Sequence, residues 1–422
     1  MDPISQRLLA RLPQKIDLSL ERMRALCAAL GHPQDPLGRS VHIAGTNGKG
    51  STLAMLRAMA EAQGWSVNAY TSPHLVRFNE RIRLGGRLIE DAEIERHLSR
   101  VEAAISRAGI GATVFEATTA MAFLAMSERP ADLSLIEVGL GGRLDATNVL
   151  GEVAVSLITP VDLDHAEYLG HDIAGIAAEK AGIIRPRVPV ICAHQRDEAR
   201  DVIARAAARA GSALRIEHED FHARLEGGRL VFQGEDRLLD LPLPALAGAH
   251  QTGNAAVAIQ AAVQLGLDDE AIAAGLEQVR WPARMQRLRA GPAAGLAPEV
   301  WLDGGHNPHA ARALAATLQA MPERPLALVV GLLNTKDAAG YLEPLATLAC
   351  PIFFTPFDAG AASAPEALAA KARALGIEAH VAGHWLEAVR RTAEAGAGRV
   401  VIAGSLYLAG EVLAADRATW PD

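Results

Sequence analysis

Apolar residues along the chain arrive in two rhythms. Short β-branched runs, "SVHIAG" (40–45), "SVNAYTS" (66–72), "DLSLIEVG" (132–139), "VAVSLIT" (153–159) and "VPVICA" (188–193), each read as a strand. Between them lie longer stretches rich in alanine and leucine, such as "STLAMLRAMAEAQG" (51–64) and "ATTAMAFLAMSE" (117–128), that read as helices. Alternation of this kind predicts an α/β fold built on a mostly parallel sheet, with polar residues collected where the strands end. A further helix is expected to open near residue 250, in "LAGAHQTGNAAVAIQAAVQLG".

The texture changes at 285–298. "MQRLRAGPAAGLAP" is dominated by proline, glycine and alanine and reads as a linker. A second alternating series follows, through "EVWLDGGHNPHAARALAATLQAM", "LALVVGLL", "PIFFTPF", "AHVAG" and "RVVIAGSLYLAG". The expected organisation is therefore a P-loop-type sheet domain over 1–284, the linker, and a smaller Rossmann-like α/β domain over 299–422.

Composition narrows the class of protein. With 422 residues the chain is too long for one core, and half its residues are apolar while 21% are charged. A net charge of -8 with no basic stripe argues against nucleic acid and against an anionic membrane surface. Three cysteines, none in a CxxC pair, argue against a disulfide framework or thiolate metal site and fit a reducing cytoplasm. No signal core or membrane-length apolar run is visible, and no coiled-coil seam suggests anything but a monomer.

One stretch carries recognisable chemistry. "VHIAGTNGKGSTLAML" (41–56) resembles a phosphate loop but places its first hydroxyl one residue late, at Ser51, because Gly50 follows Lys49. Glycines at 45, 48 and 50 let backbone N–H groups approach phosphate oxygens, and Lys49 stands where a helix should begin, near Ser51. A nucleoside triphosphate is the expected ligand, and Mg²⁺ must then find ligands elsewhere.

Candidates lie at other strand ends. "YTSPHL" offers Ser72 and His74. "LIEVGLGGRLDATN" ends a strand in Glu137, a carboxylate that needs a metal or a salt bridge. "LITPVDLDHAEYLG" delivers Asp162, Asp164 and His165. Lys180 sits in the apolar helix "IAGIAAEKAGII", either snorkelling to solvent or buried and reactive. "WLDGGHNPHA" brings Asp303, His306 and Asn307 to a strand-to-helix turn. Arg284 of "RWPARMQ" could reach a phosphate or simply pair across an interface.

Taken in order, "IDLSLERM", "HIAGTNGKGS", "TSPHLVRFNERI", "FEATT", "EVGLGGRLDATN", "LDHAEYLG", "EKAGI", "HQTGN", "PARMQ", "DGGHNPHA", "GLLNTKD" and "GSLYLAG" resemble the folylpolyglutamate synthase and dihydrofolate synthase family, relatives of the Mur peptide ligases. The resemblance spans about residues 16–408. It implies an ATP-driven amide ligase: MgATP phosphorylates a folate carboxylate, and L-glutamate attacks the acyl phosphate. Dihydropteroate and reduced folates are the implied acceptors. Chain extension alone, a Mur-type peptide substrate, or ATP binding without catalysis are the alternatives.

By motif match, Thr46, Asn47, Gly48, Lys49, Gly50 and Ser51 would cradle the triphosphate. Asn254, Arg284, Asp303 and His306 would contact ATP. Ser72, Glu137 and His165 would hold Mg²⁺. Lys180 matches a lysine that relatives carry as a carbamate, which would ligate a second metal. Lys49, Lys180, His165 and Arg284 are the implied catalytic residues. The pterin end would lie against Leu18, Ser19 and Leu20, against Thr113, Val114, Phe115 and Glu116, and against Leu144, Asp145 and Ala146. One departure is "AEYLG" after His165, where a Thr-Asp-Trp-like run is expected.

Overall fold

The structure, a computed structural model, describes residues 3–13 and 17–422. Ile16, the first residue of the "IDLSLERM" match, lies outside the described residues. The chain forms two compact units, one of 1–245, 252–279 and 422, the other of 246–251 and 280–421.

The first unit is built on an eight-stranded sheet. Its order is Arg87–Leu88, Ile82–Leu84, Val67–Tyr70, Leu133–Glu137, Ser40–Ala44, Val155–Ile158, Val190–Cys192 and Leu214–Ile216. The last six of these run parallel, whereas the first two form an antiparallel extension. Ser40–Ala44, Val67–Tyr70, Leu133–Glu137 and Val155–Ile158 are buried at every position. Both faces of a parallel sheet are covered, so even the polar residues of these strands, His42, Asn68, Ser134 and Ser156 among them, are buried.

Strand order decides where the site lies. From Ser40–Ala44 the chain crosses to Val67–Tyr70 on one side, and from Val155–Ile158 it goes to Val190–Cys192 on the other. The strand order reverses between Ser40–Ala44 and Val155–Ile158, the position where open α/β sheets take ligands outside their carboxyl ends. The loops that leave the four adjacent strands Val67–Tyr70, Leu133–Glu137, Ser40–Ala44 and Val155–Ile158 carry Ser72, Gly139–Ala146, Gly45–Gly48 and Asp162–His165. The phosphate loop, Ser72, the glycine turn and His165 therefore share one edge of this sheet.

A three-stranded antiparallel sheet of Leu238–Leu241, Arg229–Gln233 and His222–Glu226 completes this unit's strands, and the alternation of the longer runs did not signal it. The phosphate-loop helix is Lys49–Ala62. It begins two residues earlier than Ser51, because Gly48 supplies the left-handed turn at φ 88° that starts it.

The second unit carries a six-stranded sheet in the order Gln286–Arg287, Glu299–Leu302, Arg399–Ala403, Leu326–Val330, Ile352–Phe354 and Ala379–Val381. All neighbours are parallel except the first pair. Within the proline- and glycine-rich stretch 285–298, Gln286 and Arg287 thus add an edge strand beside Leu302 and Trp301. Helices Pro308–Ala320, Ala338–Ala346 and Pro365–Ala374 contribute apolar faces to this unit's core. No helix among the described residues is long and apolar enough to cross a membrane.

Candidate active site

The phosphate loop is held from below by its neighbouring strand end. Thr46 N–H donates to Pro160 O at 2.9 Å, and Thr46 Oγ1 donates to Asp162 O at 2.8 Å. The Asp162 carboxylate pairs with Arg196 at 3.1 Å, so this residue braces the loop. Gly45 lies so close to Thr159 that a Cβ there would sit 1.8 Å from Thr159 Oγ1. A Cβ on Gly48 would sit 2.4 Å from Asn254 Oδ1. Asn254, more than two hundred positions along the chain, is therefore packed directly on the phosphate loop. Ser51 is buried in the first turn of the helix that follows.

Two lysines converge here. Lys49 Nζ donates to Gly45 O at 3.1 Å and to Thr46 O at 3.4 Å, while Lys180 Nζ donates to the same Gly45 O at 2.9 Å. Lys180 is buried, not snorkelling. Burial first, and the Lys49 charge second, push its pKa down to about 7, with Asp164 and Asp145 opposing. Both lysines line a cavity of ≈ 30 Å³ with Gly45, Thr46, Val138–Gly141, Asp164, His165 and Leu169.

His165 adopts the left-handed conformation at φ 51° and caps the short helix Ala166–Leu169. A non-glycine residue in that region is uncommon and is held by its surroundings. The departing "AEYLG" sequence forms this single turn and stops at Gly170.

Glu137 ends its strand almost fully buried, and its Oε2 accepts the backbone N–H of Ser72 at 3.1 Å. Ser72 and Glu137 are thus neighbours, and His165 lies in the lysine cavity, which Val138 beside Glu137 also lines. Ser72 and Glu137 bring a hydroxyl and a carboxylate together, oxygen donors of the kind Mg²⁺ accepts, whereas His165 offers an imidazole nitrogen. Sequence reasoning passed over Glu80, whose carboxylate accepts the backbone N–H groups of Leu75, Val76 and Arg77 at 2.7, 2.8 and 2.6 Å. That clamp fixes the loop carrying Ser72 and His74; the only cue was an acidic residue inside "RFNERI".

The elements expected to face a pterin adjoin the same edge. Thr113 caps helix Val114–Glu128 in a reciprocal box with Glu116. Phe115 packs on the glycine turn, where a Cβ at Gly139 would lie 2.3 Å from Phe115 Cζ. Asp145 is buried: Oδ2 accepts Leu140 N–H at 2.8 Å, and Oδ1 accepts Thr147 N–H at 2.9 Å and its hydroxyl at 2.5 Å. Desolvation raises its pKa. It shapes the turn between Leu144 and Ala146. Before helix Glu21–Ala29, the Ser19 hydroxyl accepts Glu21 N–H at 3.3 Å, and Leu18 and Leu20 flank it.

In the second unit Asp303 is buried and ties its turn together, accepting Met285 N–H at 3.0 Å and Gly305 N–H at 2.8 Å. Arg284 lies between Ala283 and Met285, which both adopt positive φ, and donates to Ala283 O at 2.9 Å. His306 Nδ1 lies 3.2 Å from Gly304 O. The larger cavity of this unit, ≈ 670 Å³, is lined by Pro325, Leu326, Pro351 and Arg399. It sits at the amino ends of the strands, opposite the edge that carries Asp303, so size does not mark the chemistry here.

Comparison with known proteins gives the family. Residues 43–262 match the Mur ligase middle domain and residues 283–406 the Mur ligase glutamate ligase domain. A folylpolyglutamate synthase of Lacticaseibacillus casei is 35% identical over 413 residues, covering 93% of this chain and 92% of the relative. An Escherichia coli FolC structure in complex with DHPP and ADP superposes with a TM-score of 0.87 at 32% identity, covering 97% of each chain. A bifunctional folylpolyglutamate synthase/dihydrofolate synthase with Mn, AMPPNP and L-glutamate bound gives 0.86 at 32% identity, covering 98% of each.

The chain belongs to the Mur ligase family, enzymes that join an acid to an amino acid using ATP. Within that class it falls among the dihydrofolate synthase/folylpolyglutamate synthases, as the resemblance of its motifs implied.

Proposed function

We propose that this ligase couples L-glutamate to dihydropteroate, giving dihydrofolate, and then adds glutamates to reduced folates such as tetrahydrofolate. The acceptor carboxylate takes the γ-phosphoryl group of ATP, forming an acyl phosphate and ADP. The amino group of glutamate then attacks the carbonyl carbon, the C–O bond to phosphate breaks, and the amine loses a proton. Phosphoryl transfer of this kind requires charge neutralisation and placement more than a nucleophilic side chain.

The observation that carries this reading is the junction at Gly139. On one side of the glycine turn lies the cavity of Lys49 and Lys180; on the other the Phe115 ring packs at the head of the acceptor helix. An acceptor lying along Phe115 would extend its carboxylate toward Lys49. In this account Thr46–Ser51 cradle the triphosphate through backbone N–H groups at a helix N-terminus. Asn254 positions it, and Lys49 neutralises it. On the second unit, Arg284, Asp303 and His306 are the residues assigned to ATP.

Mg²⁺ is assigned to Ser72, Glu137 and His165, where it would neutralise phosphate charge. Lys180 is assigned the carbamate role: its neutral amine, available because its pKa is down near 7, would add carbon dioxide and release a proton, giving an anion suited to a second metal. Leu18–Leu20, Thr113–Glu116 and Leu144–Ala146 are assigned to the pterin. We also assign the protein to the cytoplasm, as a monomer acting on small molecules; its cysteines Cys27, Cys192 and Cys350 are free thiols, all buried. The test is ADP formation with dihydropteroate or tetrahydrofolate as sole acceptor. Turnover with tetrahydrofolate alone would leave only chain extension.

A further inference from the structure

Two segments assigned to the acceptor, residues 18–20 and 113–116, are almost a hundred positions apart, and one side chain, bonded to Asp17 just before the first of them, joins them. Arg22, in the first turn of helix Glu21–Ala29, donates through Nε to both carboxylate oxygens of Glu116, at 3.1 and 3.2 Å. Its Nη2 lies 3.1 Å from Glu116 Oε1 as well. The same guanidinium donates through Nη2 to Asp17 O at 2.8 Å and through Nη1 to Asp17 Oδ2 at 3.1 Å. Glu116 is itself fixed, because its Oε2 accepts Thr113 N–H at 2.7 Å.

A planar fork is the only side chain that can serve both partners. Guanidinium presents its donors in a rigid plane and meets a carboxylate on two edges, whereas an ammonium is a single point charge. The Glu116 carboxylate is nearly buried, with 5% of its side chain exposed, so this pair is shielded from solvent far more than an ordinary surface pair. A second backbone tie runs alongside it, from Val114 N–H to Pro13 O at 3.3 Å. Arg22 thus ties the segment that carries Leu18–Leu20 to the head of helix Val114–Glu128, beside the apolar packing of Met23, Leu26 and Cys27 in the core that also holds Ala117 and Ala120.

We infer that Arg22 is a positioning residue for the acceptor: it holds the 17–20 loop in register with Thr113–Glu116, and so sets the width of the slot that receives the flat ring system of the substrate. The inference rests on the acceptor assignment given above. It makes Arg22 act on acceptor affinity and not on the nucleotide, since neither Asp17 nor Glu116 lines the lysine cavity.

The experiment is steady-state ADP formation by the full chain, with KM measured separately for dihydropteroate, ATP and glutamate. Arg22→Met keeps the stem and removes the fork; it is expected to raise the dihydropteroate KM about tenfold or more, the scale of losing a charge-assisted hydrogen-bond pair. KM for ATP should stay within about twofold of wild type, since nothing on the nucleotide side changes. Arg22→Lys restores charge without the fork and should fall between, and it serves equally if the methionine variant does not fold. An unchanged dihydropteroate KM in a folded variant, or an equal rise in the ATP KM, overturns the role of Arg22 while leaving the ligase reading intact. Wild-type protein that turns over no pteridine acceptor removes the acceptor assignment and this inference together.

Discussion

Lys49 and Lys180, 131 positions apart in sequence, both donate to the carbonyl oxygen of Gly45, at 3.1 and 2.9 Å. Two lysine side chains converging on one carbonyl concentrate positive charge that an anion would relieve. The phosphate loop offers that anion a place at the head of helix Lys49–Ala62. Lys49→Ala is therefore expected to lower turnover by about 10²-fold or more, the scale for removing a group that stabilises developing charge. Steady-state kcat with saturating substrates checks it; a rate near wild type would remove Lys49 from the mechanism.

Lys180 gives a pH signature. Its folded-state value near 7 lies below the ordinary 10.5, so the folded chain releases this proton first as pH rises. Below about pH 7 both states hold the proton and the cost of burial is full; stability then climbs between about 7 and 10.5 and levels off above. Urea melts of CO₂-free wild type and Lys180→Met across this range, with the amine unmodified, should show the wild type gaining on the variant. A constant difference would contradict the buried amine.

A second buried network runs from the phosphate-loop strand to the glycine turn. His42 Nε2 lies 2.9 Å from Thr147 Oγ1, which donates to Asp145. Burial, with Arg185 adding to it, lowers the His42 pKa from 6.5 to about 3. Its contribution to stability is present above pH 6.5 and is lost as pH falls toward 3, because the unfolded chain takes up the proton first. Thr147→Val strands the imidazole and should cost about 1–3 kcal/mol in denaturant melts at neutral pH.

Helix packing beneath the site is equally exacting. A Cβ on Gly275 would lie 2.4 Å from the backbone nitrogen of Met59, in the helix that Lys49 begins. Backbone cannot swing aside, so Gly275→Ala should destabilise by about 1–3 kcal/mol despite alanine's better helix propensity. A thermal melt decides; an unchanged or higher midpoint would mean the helices separate freely.

Much of this was legible because it is local. The parallel sheet follows from β-branched runs buried on both faces, and Lys49 follows from glycines at fixed offsets before a helix. The strands at 222–241 were less visible, since charged residues break their alternation; the Gly227–Gly228 turn, with φ 58° and 77°, was the available cue for the hairpin. Long-range ties are another matter. Arg22 and Glu116 are 94 positions apart, and nothing in either local sequence reports the pairing. Asp162 illustrates the remaining difficulty: a strand-end carboxylate looks like a ligand, yet its pairing with Arg196 makes it a brace. Residue type gives chemistry, and only the fold gives the partner.

The central claim is tested most directly by following ADP release while the components are supplied singly and together. The account predicts ADP formation from ATP and Mg²⁺ only when dihydropteroate and L-glutamate are both present, with dihydrofolate appearing in equal amount. ADP release that ignores glutamate, or none with any folate acceptor, would contradict it.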